Sequence, residues 1–203
     1  MLKTRLRRDT LVSFDNFRAL DPETADLARE LIGDGDRQNS AFLPFVNAWM
    51  GFNGWMESVT DATSDAAMIT ALADNRRMTD AYGALIDDDR TFRRNVVRFA
   101  ELWPVVSVRD LRKKLGRDAF WQMDRATLLD ACRREDVRLQ PLRWTEGEMP
   151  TWPQVLRTIY QIRCNLFHGA KSPQQTRDRD LVRHADRVLR GYINGTSCLE
   201  WHD

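Results

Sequence analysis

Cysteine is scarce in this chain, long apolar runs are missing, and the charges almost cancel. The three cysteines are Cys132, Cys164 and Cys198. An odd number without paired spacing argues against a disulfide framework and fits a reducing compartment, so the cytoplasm is the expected location. No window approaches the about eighteen unbroken apolar residues of a membrane helix, because even the richest one carries Asn47, Asn53 and Glu57. The basic opening MLKTRLRRDTLVSFDNF has neither an apolar stretch of signal-peptide length nor a small-residue cleavage site, so no secretion signal is expected. With 31 basic and 30 acidic side chains the formal net charge is +1, a balance that neither implies nor excludes an RNA partner. The acidic run Gly33-Asp34-Gly35-Asp36 lacks the bidentate acid that a calcium loop carries at its twelfth position, where Phe45 stands. No metal or cofactor is expected.

What is present is helical periodicity. A chain of 203 residues, 42% of them hydrophobic, can fill one core, and a single all-α domain over residues 1–203 is expected. Asp21-Pro22-Glu23 supplies a cap, a first-turn proline and an early acid for a helix running to about Ile32. From Ser40 to Thr60 the residues Phe42, Phe45, Val46, Trp49, Met50, Phe52 and Met56 recur three and four apart, the inward stripe of the principal core helix. Asn53 falls on that stripe and should hydrogen-bond there, with a helper role for Asn53 or Glu57 at a neighbouring site as the alternative to plain packing. Gly51 and Gly54 leave room for a second backbone. Met68, Ile69, Leu72, Met78, Tyr82, Leu85 and Ile86 predict one long helix over 64–87, after which Asp87-Asp88-Asp89 caps a helix that stops at Pro104.

Between Pro104 and Pro150 the pattern changes to a middle elaboration on the bundle. Ser107 opens a capping box for a short basic helix to Leu115, a second short helix covers 126–135, and 137–150 reads as loop with a short extended piece. Arg109, Arg112, Lys113, Lys114 and Arg117, with Trp121 and Trp144 nearby, make the region locally basic. Interspersed acids such as Asp110 and Asp118 favour a solvated charged face over a surface that guides a polyanion.

Two further capping boxes, Thr151-Trp-Pro-Gln154 and Ser172-Pro-Gln-Gln175, start the last two helices, and so short a link predicts a C-terminal antiparallel helical hairpin. Val155, Ile159, Ile162, Leu166 and Phe167 form the apolar stripe of the first; Leu181, Val182, Ala185, Val188, Leu189 and Tyr192 form that of the second. Tyr160, Gln161, Arg163, Asn165, His168 and Lys171 are left over at the end of the first helix. Arg163 and His168 project about 140° apart on an uninterrupted helix, yet Gly169 ends the helix and an arginine is long enough to swing round. Cys164 reads as a small filler, since no base stands at a useful spacing.

At these residues the chain resembles the HEPN-domain family. Tyr160-Gln-Ile-Arg-Cys-Asn-Leu-Phe-His-Gly-Ala-Lys171 is similar to the family signature, an arginine followed after four to six residues by a histidine on a late helix, and especially to the branch reading Arg-Asn-Asn-Leu-Phe-His-Gly-Gly-Lys. Phe45-Val-Asn-Ala-Trp-Met-Gly-Phe-Asn-Gly-Trp55 is similar to the Trp-x-x-Phe-Asn segment of that branch. Cys164 departs from the asparagine, aspartate or histidine usual after the arginine, while Asn165 keeps the second polar position.

The resemblance implies an all-α multi-helix bundle of HEPN type and metal-independent cleavage of RNA, with Arg163, His168 and Asn165 catalytic and Lys171, Gln161 and Tyr160 binding the RNA. Attack of a ribose 2′-hydroxyl on the adjacent phosphate needs a base, an acid and positive charge, and would leave 2′,3′-cyclic phosphate and 5′-hydroxyl ends. His168 can titrate near neutral pH and could serve as base or acid, Arg163 can hold two phosphate oxygens, and Asn165 can orient either. One histidine cannot be base and acid in one step, so a homodimer with a composite Arg/His site is expected. The resemblance further suggests bacterial defence or a toxin–antitoxin pair, with an antitoxin or regulatory protein as partner. Two other readings stay open: a non-catalytic helical module that binds RNA, a nucleotide or a protein, and a structural hairpin in which Arg163 pairs with an acid such as Asp178 or Asp180.

Overall fold

The computed structural model describes residues 10–19, 22–34, 40, 42–167 and 176–203. Asp21, Gly35 and Asp36 lie outside the described residues, as does the capping box 172–175. Among the described residues the chain is a helical bundle with one small two-stranded sheet.

The bundle is built around α3 (Leu43–Val59), which buries Phe45, Trp49, Phe52, Trp55, Met56 and Val59. The buried set departs from the predicted stripe: Met50 is 51% exposed, and Ala48, Trp55 and Val59, outside the stripe, are fully buried. The reason is that α3 is covered from several sides, by α1 (Asn16–Ala19), α2 (Pro22–Gly33), α4 (Asp65–Ala73) and α11 (Thr176–Thr196), so its buried face is wider than one stripe. Of the two glycines expected to admit a second backbone, Gly51 does so: a Cβ there would stand 2.6 Å from the carbonyl oxygen of Ala28 on α2. A Cβ on Gly54 would meet nothing within 4 Å among the described residues. Asn53 also differs from expectation, because its buried Oδ1 has no hydrogen-bond partner among the described residues.

The predicted helix over 64–87 is two helices, α4 and α5 (Arg76–Asp88). The side chain of Asn75 accepts from the amide of Met78 at 3.1 Å and so caps α5. Trp152 Nε1 donates to the carbonyl of Leu72 at 3.1 Å, satisfying an end group of α4 from far along the chain. The next start agrees with the sequence: Asp89 accepts from Thr91 and Phe92 and opens α6 (Arg90–Ala100).

The middle elaboration comprises β1 (Val105–Val106), α7 (Val108–Lys114), α8 (Ala119–Gln122), α9 (Arg125–Arg134) and β2 (Leu139–Gln140). The strands pair antiparallel, Val105 opposite Gln140 and Val106 opposite Leu139. Ser107 caps α7 through the amide of Asp110. Leu111, Leu128, Cys132 and Val137 belong to a small core separate from that of the bundle. Arginines fix the entry to the elaboration: Arg125 donates to the carbonyls of Trp103 and Pro104, and Arg177 to that of Leu102, just before it, at 2.6 Å.

The last two helices are α10 (Trp152–Phe167) and α11. Trp152 at the start of α10 stacks on Tyr192 near the end of α11 with ring centroids 4.0 Å apart, the meeting of opposite ends that an antiparallel hairpin requires. Val155, Ile159 and Ile162 are buried as predicted, and so are all six residues of the α11 stripe, but Phe167 is 50% exposed. No described helix is long and apolar enough to cross a membrane.

Candidate functional site

Thr151 donates its amide to Gln154 Oε1 at 2.8 Å, which fixes the first turn of α10 and with it the phase of every later side chain. One face of the helix goes to the core. A second carries Tyr160, Arg163, Cys164 and Phe167, spaced three and four apart. Gln161 and Asn165, one turn apart, form a third that meets the elaboration.

Arg163 is held on three sides. Its guanidinium pairs with Asp65 at 3.1 Å, lies 4.7 Å from the centre of the Phe167 ring and 5.8 Å from that of Trp49, and keeps 26% of the side chain exposed. Its Nε is buried without a hydrogen-bond partner among the described residues. Asp65 is the first residue of α4, where the helix dipole favours a carboxylate. This acid lies on a different helix from Asp178 and Asp180, the candidates on α11. The exposure of Phe167 also has an explanation here, since its ring supports the cation instead of filling the core.

Tyr160 stacks on Trp49 with ring centroids 6.0 Å apart and lies beside Cys164. Burial, then the neighbouring Cys164 and Asp65, push its phenol up to about 12 against the opposing pull of Arg163. At neutral pH it keeps its proton and is a hydrogen-bonding group, not a base.

Asn165 is almost fully buried and engaged in the fold. Its Oδ1 accepts from the amide of Val108 at 3.1 Å and from Gln161 at 3.1 Å, and its Nδ2 donates to the carbonyl of Val106 at 2.8 Å. The side chain expected to orient the reacting groups thus clamps β1 and the start of α7 onto α10. The i, i+4 amide pair beside an apolar stripe is visible in the sequence, but its partner is not.

That clamp forms one wall of a cleft of about 910 Å³ between α7 and α10. Arg109, Arg112, Lys113, Arg117 and Arg138 line it on the side of the elaboration; Tyr160, Gln161, Cys164 and Asn165 line it on the side of the bundle. Asp110 takes part as the ion-pair partner of Arg138 at 3.4 Å. Four of the five basic residues that read as a solvated face therefore border a common cavity, while Lys114 turns to Asp136. Arg138 was not among the predicted residues, because it is brought there by β2 and nothing local marks it. Trp144 packs on Trp103 instead, at 5.3 Å, and the side chain of Trp121 lies outside the described residues.

Of the predicted site residues, Arg163, Asn165, Gln161 and Tyr160 are thus placed on adjoining faces of α10, while His168 and Lys171 lie outside the described residues. No protein-family model, no curated protein and no solved structure matches the chain.

Proposed function

We propose that the protein is a HEPN-like, metal-independent endoribonuclease of the cytoplasm that acts as a homodimer. The observation that carries the reading is the setting of Arg163: a partly exposed guanidinium, oriented by Asp65 and two aromatic rings, at the last turn of α10 beside a basic cleft. A cation fixed in this way is preorganised for a phosphate whose charge grows in the transition state. His168, five residues on, supplies the titratable group. In the dimer one copy's histidine takes the 2′-hydroxyl proton and the other's protonates the leaving 5′-oxygen.

The test uses purified protein and RNA with EDTA present. His168→Ala should lower the rate about 10² to 10⁴ fold, and Arg163→Ala should act in the same direction. Cleavage unaffected by both changes, or abolished by EDTA in the wild type, sinks the mechanism.

A second reading, a helical module that binds RNA without cutting it, is favoured by one observation. Asn165, the polar side chain between the arginine and the histidine, is consumed by the fold. Stoichiometric binding with no product after long incubation would decide for it.

A further inference from the structure

The cleft between α7 and α10 concentrates charge that the whole chain does not have. In a molecule of formal charge +1, five cations line one cavity of about 910 Å³, and Asp110 is the acid among its lining residues. Side chains of one sign at this density repel one another, and an anion between them relieves that repulsion. Four of the five are arginines, whose planar forks match two oxygens of a phosphate at once. The opposite side, on α10, is uncharged, lined by Tyr160, Gln161, Cys164 and Asn165. One end of the cleft adjoins the Arg163–Asp65 pair on both helices, since Cys164 and Ala66, the next residues in the chain, are lining residues.

We propose that this cleft binds single-stranded RNA through its phosphates and that the elaboration 104–150 serves to lead the strand to Arg163. The choice of RNA as the polyanion rests on the function proposed above. A groove walled by two helices of the same chain admits one sugar–phosphate backbone and its bases, the arrangement of single-strand channels. A duplex, which is recognised across a broad face by its shape, does not enter it.

The experiment measures affinity of full-length His168→Ala protein for a short fluorescent single-stranded RNA across a salt series. Five phosphate contacts give a slope of log K against log salt of about −3.5. Arg112→Gln with Lys113→Gln, both exposed, should weaken binding roughly tenfold and make the slope shallower by about 1.4. Arg93→Gln with Arg94→Gln, exposed on α6 away from the cleft, should change neither.

Three results overturn the proposal: no effect of the cleft pair, an equal effect of the α6 pair, or a duplex of the same sequence bound as tightly as the single strand. Tighter binding of an acidic peptide than of RNA, lost in the cleft pair, replaces RNA by a protein partner. Failure of the cleavage test with the salt response intact removes the nuclease and leaves the cleft as an RNA site.

Discussion

Two residues apart on α10, Arg163 and Asn165 serve different ends. The first faces Asp65 and solvent; the second closes two hydrogen bonds between the bundle and the elaboration and a third to Gln161 on its own helix. Truncation of Asn165 to alanine leaves the buried amide of Val108 and carbonyl of Val106 without partners, and each such group costs about 1–3 kcal/mol. Asn165→Ala should therefore lose about 2–6 kcal/mol in urea unfolding and weaken RNA binding with it. Asn165→Asp is no rescue, because it sets a carboxylate oxygen against the Val106 carbonyl. A variant that unfolds like wild type yet no longer cleaves would return Asn165 to the reaction and contradict the clamp.

At the scale of the element, helix starts were legible because caps are local. Asp89, Ser107 and Thr151 announce α6, α7 and α10 within three or four residues, and the structure puts these starts within a residue of expectation. The break between α4 and α5 was not legible, because an apolar stripe runs through it and the Leu72 carbonyl is taken by Trp152, 80 residues away. Glycines show the same divide. Gly51 and Gly54 look alike in the sequence, yet a Cβ at the first collides with α2 and at the second meets open space. Gly51→Ala should cost about 1–3 kcal/mol by overpacking. Gly54→Ala, which only removes a glycine from a helix interior, should gain about 0.5–1 kcal/mol. Denaturant midpoints of the two variants should move in opposite directions; a shift of the same sign would mean that the α2–α3 contact is looser than the close approach implies.

For the whole molecule, what the sequence concealed is what long-range contacts assemble. Arg163 and Asp65 are 98 residues apart, and the cleft gathers Arg138 with cations of α7 that local reading assigns to solvent. The arginine itself stood out because its helix has strong start signals and a polar remainder that core packing does not use. On the proposed mechanism the same remainder calls for a second copy. Tyr160 holds its proton far above neutrality and Asn165 does not titrate, so neither supplies the base that complements His168. If both catalytic histidines come from a two-fold dimer, the active species is formed by association, and activity per mole must fall as the protein is diluted through its dimer dissociation constant. Sedimentation velocity over the same concentrations should show the dimer giving way to monomer in step with that loss. Constant specific activity in a sample that sediments as monomer throughout would place acid and base within one chain and end the composite site.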